Sequence, residues 1–149
     1  MIKILLICCC CLPLKHLLVT SAYGNRIHPI TRARQFHRGI DLRAKHDTVY
    51  AIASGQAQIG YNNRSGIYVS ITDGPLTCIY GHLSICLLGH GQVTAGEPIA
   101  ITGATGLVTG EHLHLAINYQ DRAIDPIKFL YQTIIQHEQQ LQTTDRTNR

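Results

Sequence analysis

From Leu17 to Ile124 the chain is a succession of short apolar stretches, each ended by a glycine-bearing turn, at intervals of about ten residues. No helical periodicity interrupts them, so the strands must pair with one another. The expectation is an all-β fold, an antiparallel β-sandwich/barrel hybrid. The stretches are Leu17–Gly24, Gly39–Ala44, two strands within Thr48–Asn62, a hairpin over Gly66–Ser84, and further strands in Glu97–Gly103 and Glu111–Ile124. The hairpin turns at Asp73-Gly74, residues that tolerate positive φ. After Asp125-Pro126 the period changes. Ile127, Leu130, Tyr131, Ile134 and Ile135 recur at helical spacing behind a proline suited to a first helical turn. One C-terminal helix packed on the sheet is expected, with polar residues 143–149 fraying beyond it.

A chain of 149 residues, 45% apolar and 15% charged, fits one domain with a real core and excludes a disordered protein. The formal charge of +4 suits anionic surroundings such as a cell wall or a nucleic acid. The basic residues are scattered, apart from Arg32, Arg34, Arg38 and Arg43, which read as a solvated loop. At the N-terminus Lys3 precedes an apolar run from Ile4 to Leu12, too short for the roughly 20 residues that span a bilayer. Its length is that of an export signal, although no A-x-A cleavage site follows. Cys8–Cys11 are consecutive and so cannot wrap a tetrahedral metal; a lipoprotein anchor on one of them is the alternative to an export signal, although no small Ala or Gly precedes them as in a good lipid-anchor site. Beyond that run only Cys78 and Cys86 remain, either paired in an oxidising compartment or free and half-buried.

Nine histidines is a large number for this length, and histidine is both the commonest metal ligand and a common acid/base group. Three segments stand out. "FHRGID" carries His37 and Asp41, either on one helix face or, as Gly39 and the β-rich "IDL" suggest, in a loop entering a strand. "CIYGHLSI" places His82 at the end of an apolar strand. "EHLHL" puts His112 and His114 on one face of a strand with Leu113 on the other. That pair could be two metal ligands, one ligand and one base, or two strand residues. The set holds one carboxylate and four imidazoles. A hydrolytic zinc centre needs only three protein ligands, which leaves two histidines for proton transfer or oxyanion stabilisation. "HEQQL" at His137 begins like a zinc helix but has Leu141 where the second histidine belongs. His16, His28, His46 and His90 read as loop histidines. No G-x-S-x-G, Walker or dinucleotide motif competes.

The ordered set H-x-x-x-D, Y-x-H-L-S and T-G-x-H-L-H resembles the lysostaphin-like (LytM-type) zinc peptidases, which cut peptide bonds in bacterial peptidoglycan. The likeness runs from about Pro13 to Leu130 and includes "VTSAYGNRIHPIT", "VYAIASGQ", "AGEPIAITGATG" and "IDP". It implies one Zn2+ on His37, Asp41 and His114, with His82 and His112 as the two catalytic histidines. It also implies metal-assisted hydrolysis, and, if a neutral imidazole is the base, a loss of activity in mild acid. All five residues are present, unlike degenerate relatives that only regulate other hydrolases. The resulting division is a signal or membrane-targeting segment at 1–11, a zinc metallopeptidase domain at 12–132, and the helix end with a polar tail at 133–149. No coiled coil or wall-binding module fits, so a bare catalytic domain is expected. Asn25 falls where some latent relatives carry an asparagine on the zinc.

The partner implied is peptidoglycan, at direct cross-links of a Gram-negative periplasm rather than glycine bridges, in an exported protein of the periplasm or cell envelope. The wording of residues 12–31 is also similar to small relatives on mobile elements, which implies a transfer or secretion apparatus as a partner. No nucleic acid and no transmembrane partner are expected. Two rivals make different predictions. A non-catalytic factor of the same fold, binding peptidoglycan or activating an amidase, predicts no zinc and no turnover. A plain β-sandwich binding nucleic acid through Arg32–Arg43 predicts salt-sensitive DNA binding and indifference to chelator.

Overall fold

A computed structural model describes residues 12–147, with side chains described through residue 139. The export segment read at residues 1–11 lies outside the described residues. Among the described residues, twelve strands precede one helix. They are β1 (Val19–Ser21), β2 (Gly24–Ile27), β3 (Arg34–His37), β4 (Gly39–Arg43), β5 (Thr48–Tyr50), β6 (Gly55–Asn62), β7 (Gly66–Asp73), β8 (Leu76–Cys86), β9 (Gly91–Val93), β10 (Pro98–Thr102), β11 (His112–Tyr119) and β12 (Arg122–Ile124), followed by α1 (Pro126–Thr147). The all-β class with a single C-terminal helix is therefore as the sequence implied.

Ten strands form one antiparallel sheet along the path β1-β4-β11-β8-β7-β6-β9, with β10 joining β5 to β8 and β12 extending from β11. The centre of the sheet, β4-β11-β8, has the most regular register: Leu113 faces Leu42, and Leu115 faces Ile40 on one side and Tyr80 on the other. These residues are fully buried, together with Val49, Ile99 and Ile117. At about 25 cal/mol per Å² of apolar surface, burial of this strand set is the main stabilising term. The Tyr80 hydroxyl accepts a hydrogen bond from the Ile52 amide at 2.9 Å, so the largest buried side chain leaves its polar end satisfied.

The turns follow local chemistry. Gly74, with φ +55, closes the β7–β8 hairpin at the expected place. Gln120 and Asp121 both adopt positive φ in the two-residue β11–β12 turn, as a turn matching the strand twist requires. Asp125 caps α1: its Oδ1 accepts from the Ile127 amide at 3.0 Å, with Pro126 at the first helical position.

Three sequence readings need correction. The stretch Leu17–Gly24 is not one strand; it breaks at Ala22-Tyr23, and β2 pairs with β3 in a separate two-stranded sheet. The helix docks through Leu130 and Phe129, whereas Ile127 and Tyr131 are exposed, because only the start of α1 reaches the sheet. The helix also continues to Thr147, through most of the stretch expected to fray. Cys78 and Cys86 are free, which settles the alternative left open between a disulfide and two thiols. They lie on the same extended strand, where a separation of eight residues corresponds to roughly 25 Å. No helix among the described residues is long and apolar enough to cross a membrane.

Candidate functional site

The β2–β3 hairpin stands off the main sheet and forms one wall of an open cleft of about 1090 Å³. Its floor is the β4-β11 pair, where Asp41 faces His114 and Arg43 faces His112 in register. Strand alternation puts His112 and His114 on the cleft side while Leu113 enters the core at 0% exposure. Gly24 and His37 pair at the base of the hairpin, which brings His37 against the same floor. The chain crosses directly from β3 to β4, so "FHRGID" is a strand-to-strand connection and not a helix.

His82 arrives by a different device. Between β7 and β8 one residue, Tyr68, stands opposite two, Gly81 and His82. This bulge holds His82 at φ +63, an uncommon conformation for a residue with a side chain. The His82 amide donates to the Ser65 carbonyl at 2.8 Å, which pins the bulge to the β6–β7 turn. The structure thus brings His37, Asp41, His82, His112 and His114 into one cleft.

The ligand-type atoms of His37, Asp41 and His114 all lie within 4.8 Å of one another, so these three could hold a metal ion. Asp41 Oδ1 is 2.9 Å from His114 Nδ1 and 3.2 Å from His37 Nε2, and the two imidazole nitrogens are 3.1 Å apart. His37 Nδ1 donates to the Ala22 carbonyl at 2.9 Å. A carbonyl can only accept, so in the neutral ring Nε2 presents a lone pair towards a carboxylate oxygen. Two acceptors facing each other at this distance need a cation or a proton between them, and this is the observation that makes the trio fit a metal.

Asp41 is ionised. Burial alone would raise its pKa, but the hydrogen-bonding contacts with His114 and His37, and their charge, hold the carboxyl well below the usual carboxylate range. Burial lowers the His114 imidazole below its ordinary value against the opposing pull of Asp41, which keeps it in the neutral form that ligates metals.

Two more imidazoles face the trio. His112 Nδ1 donates to the Gly110 carbonyl at 2.8 Å, and its Nε2 is 3.6 Å from Asp41 Oδ1. His82 Nδ1 donates to the Thr105 carbonyl at 2.9 Å. In each case the backbone fixes the tautomer and leaves Nε2 as the free acceptor. The His82 and His112 ring centroids are 4.7 Å apart. Burial pushes the His82 pKa down to about 4, against the opposing bond to Thr105, so the ring is neutral at ordinary pH.

Several residues that matter here carried no motif. Arg26 Nη1 bonds Asp41 Oδ2 at 2.9 Å and also contacts the Ser21 hydroxyl, so the carboxylate turns only Oδ1 to the histidines. Gly39 lies under the His114 ring: a Cβ there would come 2.5 Å from the Leu115 carbonyl oxygen and 2.8 Å from His114 Cε1. Thr105 supports His82 through its carbonyl while its hydroxyl donates to Leu83 and accepts from the Ile67 amide. His28, read as a loop histidine, is buried; its Nδ1 accepts from the Ile30 and Thr31 amides and shapes the hairpin turn along the cleft. None of His16, His46, His90 and His137 lines the cleft. Asn25 is exposed and does not line it either; its neighbour Arg26 does.

Residues 35–126, well over half of the chain and the span that holds all five residues, match Peptidase family M23. The chain belongs to peptidase family M23. The peptidoglycan DD-endopeptidase ShyA of Vibrio cholerae serotype O1 is 36% identical to this M23 chain over 108 residues, 70% of the chain and 25% of ShyA. A zinc-containing peptidase from Vibrio cholerae superposes with a TM-score of 0.69 at 31% identity, covering 74% of this chain and 36% of that one. The catalytic domain of the antimicrobial peptidase lysostaphin from Staphylococcus simulans superposes with a TM-score of 0.68 at 29% identity, covering 77% and 92%. The lysostaphin-like resemblance read from the motifs is thus shown. The M23 chain spans about a quarter of the length of ShyA and of the DD-carboxypeptidase/endopeptidase Mpg of Neisseria meningitidis.

Proposed function

We propose that this chain is a zinc-dependent endopeptidase that hydrolyses peptide bonds in bacterial peptidoglycan, in a stem peptide or cross-link. The observation that carries the reading is the convergence of His37 Nε2, Asp41 Oδ1 and His114 Nδ1, with His82 and His112 beside them in an open cleft. His37, Asp41 and His114 hold the metal, and the catalytic domain extends over residues 12–132. Zinc bound there supplies Lewis acidity, polarising the scissile carbonyl and lowering the pKa of water.

The protein's own part is positional and protonic. Arg26 and the Ala22 carbonyl fix the orientation of Asp41 and His37. His82 and His112, each anchored through Nδ1–H to a backbone carbonyl, present Nε2 to the substrate. One of them takes a proton from the attacking water at its free Nε2, and the Nε2–H so formed can then donate to the oxygen of the attacked carbonyl or to the leaving amine. Names of relatives such as the peptidoglycan DD-endopeptidase support the substrate class, and place of action follows from it: the periplasm or cell envelope, reached by an export segment at residues 1–11.

The test is loss of turbidity of purified cell walls with the zinc-loaded protein, a chelator-treated sample as control, and mass spectrometry of the released peptides. Clearing that chelator abolishes and zinc restores is the expected result. Intact walls with stoichiometric zinc on the protein would reject the enzyme and favour a binding or activating factor.

A further inference from the structure

The arginine group of the sequence divides in the folded chain. Arg32 and Arg34 lie away from the cleft, whereas Arg38 and Arg43 line it, joined by Arg26 from β2 and Arg64 from the β6–β7 turn. Against these four arginines the cleft has two carboxylates, Asp41 and Glu111. Asp41 is already engaged by Arg26 and the histidines. Glu111 is turned to the Thr102 hydroxyl at 3.0 Å and to the His46 amide. Arg64 reaches the Gln35 side chain, an uncharged partner. Arg38 and Arg43 have no ion-pair or hydrogen-bond partner for their guanidinium groups among the described residues.

Their placement relative to the reacting groups is fixed by the backbone. Arg43 is the cross-strand partner of His112, so the two side chains stand next to each other on the same face of the sheet. Arg38 is the single residue between His37 and Gly39, at the crossing from β3 to β4. Two uncompensated guanidiniums therefore flank the five-residue site on its β4 side. Both arginines are exposed, and a guanidinium offers a planar fork of donors that matches a carboxylate, so the two forks are open to a ligand in the cleft.

We infer that Arg38 and Arg43 form a carboxylate-binding subsite, so that the preferred substrate is a peptide bearing a free carboxylate beside the bond attacked. The inference rests on the metallopeptidase reading above and names its substrate class more narrowly. A purely solvated pair of arginines would leave cleavage indifferent to that carboxylate.

The experiment uses the zinc-loaded full chain and cross-linked peptides released from purified walls, before and after carbodiimide amidation of their free carboxylates. The unmodified peptides should be cleaved with kcat/KM about tenfold higher than the amidated ones, the difference lying in KM. In the double variant Arg38→Gln, Arg43→Gln that ratio should fall close to one, with kcat within about twofold of wild type. Arg34→Gln, outside the cleft, should keep the full ratio. Equal cleavage of both peptides by wild type, or a ratio that survives in the double variant, overturns the inference and leaves the peptidase reading intact. Cleavage of neither peptide by zinc-loaded wild type overturns the peptidase reading and this inference with it. Salt-sensitive oligonucleotide binding abolished in the double variant, with the peptide ratio unmoved, would assign the two arginines to nucleic acid instead.

Discussion

The His114 ring rests on Gly39, one strand away, at a distance that leaves no room for a methyl group: a Cβ on Gly39 would lie 2.8 Å from His114 Cε1 and 2.9 Å from Nε2. The other edge of the ring, Nδ1, faces Asp41. The glycine thus sets how deeply the imidazole sits and which nitrogen it offers. Gly39→Ala should displace the ring and strain the β4-β11 pair, costing about 1–3 kcal/mol of stability. Zinc affinity should fall at least about tenfold. Urea midpoints and competition with a chromogenic chelator read the two effects, and unchanged zinc affinity would count against the close packing.

His112 and His114 share a face but should not share a role. His114→Ala removes one of three converging ligand atoms and should abolish zinc binding. His112→Ala should retain zinc and lose turnover by about two to four orders of magnitude, the usual range for a proton-transfer group. Metal analysis of the purified variants beside wall-clearing rates separates the two, and the reverse pattern would exchange the assignments.

Gly106 supports His82 at second hand. With φ +82 and a Cβ that would fall 2.3 Å from the Gly66 amide nitrogen, it lets the loop before β11 pack on the β6–β7 turn and hold Thr105 against His82. Gly106→Ala should lower kcat about tenfold or more while zinc affinity stays within about twofold of wild type. Parallel loss of both would mean that the loop supports the whole cleft.

His82 also makes stability depend on pH. Its pKa is lowered from 6.5 to about 4 by burial. As pH falls through 6.5 the unfolded chain takes up this proton and the folded chain does not until about 4. The unfolded state therefore binds more protons in that window, and stability declines as pH falls. After allowance for water in the cleft, the metal-free protein should lose about 1–2 kcal/mol through this residue. His82→Gln should flatten the slope, as read from urea unfolding between neutral pH and about pH 4. An identical slope in the variant would clear His82 of the effect. A loss of turnover already near pH 6 would have to come from a group other than His82.

Much of the site was legible before folding because motifs and strand alternation are local. His112 and His114 had to share a face once "EHLHL" was a strand, and Asp73-Gly74 had to turn once two β-rich runs met there. What stayed hidden depends on contacts between residues far apart in the chain. Arg26 is 15 residues from Asp41, and nothing in "GNRIH" says that it will reach a carboxylate. The β2–β3 hairpin escaped notice because its strands are short, largely exposed and poor in apolar alternation. Likewise His28 reads as a loop histidine until the turn it caps is seen to line the cleft.

The sequence by itself determined the all-β class, the start of the C-terminal helix at Pro126 and the residue types, one carboxylate and four imidazoles, that could make a three-ligand metal site, because periodicity and turn chemistry act over a few residues. Tertiary structure decided which atoms face which: Oδ1 of Asp41 to the histidines and Oδ2 to Arg26, His82 turned into the cleft by a bulge, and Gly39 clearing space for His114. Those choices belong to register and packing, since a shift of one residue in β4 or β11 would carry Asp41 or His114 to the opposite face of the sheet and away from the other groups.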